Sequence, residues 1–197
     1  MFDQMKKAII ALFLVLSTGC SINHHVADGY GDYLVKNKSQ QVIPYTGLSA
    51  EYKKTEAVKD HRYEFRALTV GYANLWIVEF GDILDETLKS QEIQSVFNGL
   101  VEAREIGEPE NLIIFDLVDY SYQDYKANIS IHIVLRQKGI EAINQTYKAS
   151  GEGQTVQMWA AGVFGMMDAI RDSTKSAMDE IMVQLIRDIG LINTSSE

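Results

Sequence analysis

The sequence predicts an α+β fold: a two-layer sandwich with two amphipathic helices packed on one face of a mostly antiparallel sheet. Apolar and polar residues alternate over residues 112–122 and 128–136, as they do in half-buried strands. Apolar residues recur every three or four positions over residues 76–88 and 167–189, as on one face of a helix. The hydrophobic fraction of 46% is that of an ordinary globular protein, so a packed core is expected.

The N-terminal segment has the pattern of a bacterial lipoprotein signal peptide. Lys6 and Lys7 precede the apolar run 8–17, which is too short to span a bilayer and has the length of a signal-peptide apolar region. Small residues then lead to Cys20. We predict cleavage after Gly19, so that residues 1–19 are removed, and attachment of diacylglycerol and an N-acyl chain to Cys20. The alternative is an ordinary secretory signal that contains a cysteine.

Cys20 is the only cysteine of the chain, so an internal disulfide cannot form. An unpaired thiol is a liability in an oxidising compartment, and lipidation would remove it. Two acyl chains suffice for stable membrane anchoring, so no transmembrane helix is required. In the lipoprotein class that this segment resembles, a serine such as Ser21 after the cysteine permits transfer to the outer membrane. We expect anchoring on its periplasmic face and no cofactor beyond these acyl chains.

The mature chain is predicted to be one domain with a tether. Residues 20–41 are polar, contain glycine and lack periodicity, which is typical of a flexible linker. Residues 42–190 are predicted to form a single periplasmic domain, and residues 191–197 a disordered tail. The 178 residues that follow Gly19 suit this arrangement.

The first half of the domain is predicted to contain two strands and a helix. The strands are expected at 42–52 and 62–72, with a charged loop at 53–61 between them. A helix is expected from Leu75, with an apolar stripe from Trp76 to Leu88. Residues 92–102 are compatible with a short strand or with a broken helix, because Asn98-Gly99 is a turn signal.

The second half is predicted to contain three strands and a long helix. After a loop at 107–110, strands are expected at 112–122, 129–135 and 140–150, with a hairpin turn at Lys138-Gly139. Strict alternation along the first of these strands would place Asp116 and Asp119 on opposite faces. The terminal helix is expected to bury a stripe from Met167 to Ile189 and to expose its charged residues, Lys175 among them.

The charge of the chain argues against nucleic acid as a partner. Its formal net charge is −9, and the signal peptide contributes positive charge, so the mature chain is more acidic still. Such a chain is repelled by polyphosphate backbones and by anionic headgroups. The acyl anchor would have to hold the domain at the membrane against this repulsion.

The sequence contains no recognisable catalytic or metal-binding motif. It has no nucleophile elbow, no HExxH pair and no phosphate-binding glycine loop. His24 and His25 fall in the predicted tether, which cannot preorganise a metal site. A hydrolase that uses His132 or Asp119 is the least favoured function. We therefore expect a protein that is not an enzyme and holds no metal.

Two features could mediate protein contacts. Tyr120, Tyr122 and Tyr125 are one candidate, because tyrosine is enriched at interfaces; the alternative is an aromatic ladder within the sheet. The apolar segment 156–167, with Trp159 and Phe164, is the other candidate. It would be either a buried helix start or an exposed apolar lid that contacts a membrane or a partner.

Residues 62–190 resemble YajG-like small outer-membrane lipoproteins and, more distantly, auxiliary lipoproteins of envelope transport systems. The shared pattern joins the lipobox, a tether, the helix 80–88, the strands 112–122 and 129–135, and a strand end at 147–153 before a long helix. That strand end reads Tyr-Lys-Ala-Ser-Gly-Glu-Gly. The resemblance implies a non-enzymatic envelope protein and supplies no catalytic residues.

The expected function is that of an outer-membrane-anchored accessory or assembly subunit of a cell-envelope complex, such as a transport, secretion or motility machine. Its partners would be the membrane, reached through the lipid anchor, and envelope proteins or further copies of the chain. The alternative is a carrier or chaperone that holds lipid or another apolar ligand between sheet and helices.

Overall fold

The computed structural model describes residues 21–39, 43–104, 109–153 and 155–194, so Cys20 and the predicted signal peptide lie outside the described residues. The strands are β1 (Ile22–His25), β2 (Ala50–Lys54), β3 (Arg62–Phe65), β4 (Asn74–Glu79), β5 (Leu100–Glu102), β6 (Asn111–Gln123), β7 (Lys126–Gln137) and β8 (Ile140–Ser150). The helices are α1 (Tyr30–Lys36), α2 (Glu56–Lys59), α3 (Phe80–Lys89), α4 (Gln91–Gln94) and α5 (Thr155–Thr194), with a 3₁₀ turn at Leu68–Val70.

The strands form two sheets, and the predicted α+β class is confirmed. The larger sheet has the order β5-β2-β6-β7-β8, with α5 packed on β7 and β8. The last three strands are antiparallel neighbours, whereas β5, β2 and β6 are parallel. The pairing is more mixed than expected because a long crossover that contains α2, β3, β4, α3 and α4, rather than a tight turn, joins β2 to β5.

The three long strands lie where the alternation predicts them. Asp124-Tyr125 joins β6 to β7 with φ values of 51° and 60°, and Lys138-Gly139 joins β7 to β8 with 51° and 80°. Two successive residues with positive φ are typical of type I′ turns, whose twist matches that of a hairpin. The predicted turn at Lys138-Gly139 is thus confirmed.

The smaller sheet has the order β1-β4-β3. The prediction of a helix from Leu75 is wrong as far as Glu79, because these residues belong to β4, and the helix begins at Phe80. Trp76, Ile77 and Val78 are all fully buried. A strand that is buried on both faces forms a continuous apolar run, which periodicity cannot distinguish from a helix.

Several predicted boundaries are too wide. The first predicted strand overlaps β2 only at residues 50–52, and the second ends at Phe65 and is followed by the 3₁₀ turn. The charged loop predicted at 53–61 is wrong in part, because residues 53–54 belong to β2 and residues 56–59 form α2. Residues 92–102 contain both predicted alternatives, since they include most of α4 and all of β5. The predicted disordered tail is wrong for residues 191–194, which are helical, and Asn193 donates to the Thr46 carbonyl at 3.2 Å.

The predicted tether is wrong for residues 22–36. β1 pairs in parallel with β4, and α1 follows after a short turn. Val26 and Tyr30 are fully buried in the core. The segment lacks long periodicity because it is a four-residue strand and a two-turn helix, each too short to repeat a pattern.

A bulge in β6 reverses the side-chain alternation at residue 118. The register to β7 shifts between Leu117 and Asp119. Leu117 and Tyr120 consequently face the same, buried side although three positions separate them. Asp116 and Asp119 then lie on the same outer face, so their predicted separation onto opposite faces is wrong.

α5 buries the predicted stripe, and its backbone is non-helical at Gly162, with φ 57° and ψ −129°. Lys175, which the helical pattern places in solvent, is buried. Its ammonium lies 2.5 Å from the Asp179 carboxylate and 3.6 Å from that of Glu92. Burial raises the pKa of the Asp179 carboxyl, and Lys175 acts in the opposite direction. This ion-pair cluster allows the charged residue to lie inside.

In the described part of the chain, every helix is too short or too polar to cross a lipid bilayer.

Candidate interaction surface

Tyr120 and Tyr122 are buried, with exposed fractions of 2% and 6%, so they do not form the contact surface expected of them. The bulge in β6 turns both rings toward the core. Tyr120 packs edge-on to Tyr63, with ring centres 5.5 Å apart, and its hydroxyl lies 2.9 Å from the Thr174 hydroxyl. Tyr122 stacks on Phe65 at 5.2 Å. The alternative, an aromatic ladder within the sheet, does not describe them either, because their partners belong to β3 of the smaller sheet and to α5.

Tyr125 lies in the turn between β6 and β7 and is partly buried against the core. Its position is fixed by the turn geometry, because Asp124 and Tyr125 both adopt left-handed backbone conformations. A contact role for Tyr125 stays a prediction.

His61 lies in the loop before β3 and packs against the aromatic rings around Tyr120. Its ring lies edge-on to Phe80 and Tyr120, with ring centres 6.1 Å and 5.9 Å apart. Burial lowers the pKa of the imidazole, and the carboxylate of Asp119 opposes this. The neutral ring is therefore the form that the folded protein favours.

We expect the stability of the domain to fall in acid through His61. Because its pKa is lower in the folded state, the unfolded chain takes up the proton first, and the free energy of unfolding decreases as pH falls below about 6.5. His61→Phe keeps an aromatic ring and should reduce this decrease. Asp119→Asn removes the opposing carboxylate and should enlarge it. Urea unfolding at pH values of about 7.5 and about 5 measures the effect; equal pH dependence in all three proteins would contradict it.

Phe164 is the most exposed large apolar side chain among the described residues, with an exposed fraction of 82%. It follows the interruption of α5 at Gly162, while Met166 close by is buried. The sequence predicts either a buried helix start or an exposed apolar lid for segment 156–167, and the position of Phe164 agrees with the exposed alternative. The side chain of Trp159 lies outside the described residues, so its contact role stays a prediction.

Two open grooves flank α1, and both are lined mainly by polar and charged residues. The first, of about 730 Å³, lies between α1 and α3. The second, of about 800 Å³, lies between α1 and α5. The acidic residues of the first groove are Asp28, Asp32, Asp82, Asp85, Glu86 and Glu92. Such linings do not favour an apolar ligand, which needs a mostly apolar cavity.

His132, a residue considered for catalysis, has a structural partner, and so has Asp116. The His132 ring lies 2.8 Å from the Asn144 side-chain oxygen on the outer face of the sheet. Asp116 accepts a hydrogen bond of 2.6 Å from the Thr55 hydroxyl. Within the described ranges, no group of three or more His, Cys, Asp or Glu side chains is placed to hold a metal ion.

His24 and His25 are part of the fold and are not residues of a flexible linker. The ring of His24 stacks on Trp76 at 4.5 Å, and His25 lies 2.5 Å from the Glu79 carboxylate. β1 positions both rings through its pairing with β4. These contacts give both histidines a structural role within the fold.

A small surface that no sequence pattern indicates lies beside the N-terminus of the described chain. Arg66 donates to the Tyr72 carbonyl at 2.6 Å and to the Ser21 hydroxyl at 3.0 Å. Its guanidinium lies over the Tyr72 ring, 5.2 Å from the centre. Ile22 is also exposed here. The sequence carries no signal for this cluster, because the pairing of β1 with β4 brings together residues about fifty positions apart.

Comparisons with known proteins identify a similar fold. No family model matches the chain. No curated protein matches its sequence. The crystal structure of protein XCC0632 from Xanthomonas campestris, of family DUF330, is similar with a TM-score of 0.50. The match covers 80% of this chain and 95% of XCC0632 at 13% sequence identity. At this identity the likeness establishes that the chain shares its fold with a DUF330 protein.

Proposed function

We propose that the protein is a lipoprotein anchored through Cys20 to the periplasmic face of the outer membrane, where it is a non-enzymatic accessory or assembly subunit of a cell-envelope complex. The resemblance to YajG-like lipoproteins belongs to this proposal. The observation that carries the assembly role is the exposure of Phe164. A single aromatic ring that projects from a packed helix is suited to fill a pocket on a partner protein.

The surroundings of Phe164 support a contact role. Val163 and Met167 pack partly against the core and Met166 is fully packed, so the backbone that presents the ring is held in place. A ring on a rigid support loses little conformational freedom when it binds. The ring can therefore contribute to binding while contributing little to the stability of the free domain.

No feature of the described grooves favours the alternative function of a carrier for apolar ligands. The two grooves beside α1 are lined with carboxylates. A bound lipid tail would remove water from these carboxylates, which costs free energy. A lipid recovered in stoichiometric amount would nevertheless support that alternative, so the same experiment tests both.

Phe164→Ser is expected to weaken capture of the partner about thirtyfold, the factor that matches a hot-spot contribution of about 2 kcal/mol. The free energy of unfolding should change by no more than about 0.5 kcal/mol, because the ring is exposed. The measurement is affinity purification of the tagged, lipidated protein from its native host in mild detergent, with mass spectrometry of proteins and lipids.

Ile140→Ser is the matched control, because Ile140 is 73% exposed at the start of β8 and should leave the partners in place. Undiminished capture by the Phe164 variant would exclude this ring as the contact. Recovery of the protein alone with one defined lipid would replace the assembly role by the carrier role.

A further inference from the structure

The first described strand, β1, begins two residues after the proposed lipidation site. Ser21 is the only residue between Cys20 and Ile22, the first residue of β1. One residue spans at most about 3.6 Å. The polar layer on each side of a bilayer is about 6 Å thick, since about 42 Å of total thickness encloses about 30 Å of hydrocarbon. A lipidated Cys20 would therefore hold the start of β1 within the headgroup layer.

The side chains that surround Ser21 have the chemistry of a membrane-facing surface. Tyr72 and Ile22 are 68% and 53% exposed, although both are large and apolar or amphipathic. Tyrosine is enriched where protein meets the headgroup layer, because its ring is apolar and its hydroxyl is polar. Arg66 contacts Tyr72 and Ser21, the residue before Ile22, and supplies the positive charge.

The guanidinium of Arg66 has N–H donors that are available to bind a further group. Within the ranges that the structure describes, it uses two donors, one for the Ser21 hydroxyl and one for the Tyr72 carbonyl. Arginine has five N–H groups, and its planar fork fits phosphate oxygens. Among the described residues, no carboxylate lies within ion-pair distance of Arg66, and the chain has no acidic residue between Glu64 and Glu79. This stretch thus lacks the negative charge that dominates the rest of the protein.

We propose that Ile22, Arg66 and Tyr72, here called the anchor patch, lie on the phospholipid headgroups and fix the orientation of the domain on its membrane. This inference rests on the lipidation proposed above. Arg66 contacts headgroup phosphates, and the Ile22 and Tyr72 side chains enter the layer between headgroups and acyl chains. Without a tether, the domain cannot rotate freely about its anchor.

The test uses a thiol at position 72 in the full lipidated protein. Acylation consumes the only native cysteine, so Tyr72→Cys introduces the one free thiol. The protein is reconstituted in vesicles of phosphatidylethanolamine and phosphatidylglycerol, and its reaction with a membrane-impermeant maleimide is timed. Asn23→Cys is the control, because Asn23 is exposed and follows Ile22 in β1 but lies on the opposite side of the strand.

On vesicles, the thiol of the Tyr72→Cys variant is expected to react about tenfold more slowly than that of the Asn23→Cys variant, a factor that corresponds to about 1.4 kcal/mol. Adding Arg66→Gln should raise the rate at position 72, whereas Arg136→Gln, which changes an arginine at the hairpin between β7 and β8, should not. Equal rates at the two positions on vesicles would overturn the proposal, as would protection that requires an added envelope protein.

The lipidation of Cys20 is measured separately from the membrane contact of the anchor patch. The intact mass reports the acyl chains on Cys20, and flotation reports attachment to the vesicles. A lipidated Tyr72→Cys protein that floats with its thiol freely reactive refutes the anchor patch alone. A protein without acyl chains refutes the proposed anchoring and, with it, this inference.

Discussion

Tyr30→Ala is expected to destabilise the domain by about 3–5 kcal/mol, the usual cost of deleting a buried aromatic side chain. Tyr30 lies in α1, is fully buried and stacks on Tyr33 at 5.7 Å. Burial also raises the pKa of its hydroxyl, so the phenol stays neutral. The free energy of unfolding from urea titration, read by circular dichroism, measures the loss.

Val35→Ala is the matched control because Val35 lies on the same helix and is exposed. We expect it to change stability by no more than about 0.5 kcal/mol. If residues 20–41 were a flexible tether, both variants would unfold at the same urea concentration as the parent protein. The pair therefore tests whether the segment after Cys20 is part of the folded domain.

Gly151→Ala is expected to cost about 3 kcal/mol or more, at the upper end of the range for overpacked sites. Gly151 follows β8, where the chain approaches α5. A Cβ atom there would overlap the Ser173 carbonyl oxygen and hydroxyl. Gly151 and Ser173 cannot easily move apart, because both are bonded to Ala127. The Gly151 amide donates to the Ala127 carbonyl at 2.8 Å, and the Ser173 hydroxyl accepts from the Ala127 amide at 2.9 Å.

Gly153→Ala is the control for this change. A Cβ at position 153 would meet only the Lys126 side chain, with its Cε at 3.0 Å, and a flexible lysine can move. Thermal unfolding of the two variants should separate them by roughly 10 °C, since about 3 kcal/mol shifts the midpoint by about 2–4 °C for each kcal/mol. Similar midpoints would show that α5 can shift away from the strand end.

This close approach explains one of the two glycines in the strand end 147–153. The sequence presents Gly151 and Gly153 as equal members of a motif. The structure distinguishes them, because only Gly151 lies against the backbone of another element. A glycine pattern indicates that a backbone is special without telling whether the reason is a turn or a contact.

The sequence predicts the fold best where long elements repeat one pattern. The predictions for β6, β7, β8 and the buried stripe of α5 lie close to the observed bounds, since each has many positions that agree. β4 resembles a helix in the sequence because it is buried on both faces. β1 and α1 escape prediction because their stability comes from contacts with distant residues, which local patterns do not contain.

The candidate interaction surface is predictable only in part. The exposure of Phe164 agrees with one of the two alternatives for its segment. The prediction for Tyr120 and Tyr122 is wrong because a single-residue bulge reverses every later side chain in the strand, and no residue type at 117–119 signals it. The anchor patch depends on the parallel pairing of β1, which sequence periodicity cannot reveal.

The closure of the fold by its first segment has a consequence for folding kinetics. Arg171 in α5 donates to the Val26 carbonyl at 3.1 Å, and the Tyr33 hydroxyl donates to Asp172. These contacts join residues about 140 positions apart, so they have high contact order. The segment that follows Cys20 can pair with β4 earlier, but its contacts are complete only when α5 is in place. We expect α1 to be among the last elements to gain protection from hydrogen exchange during refolding.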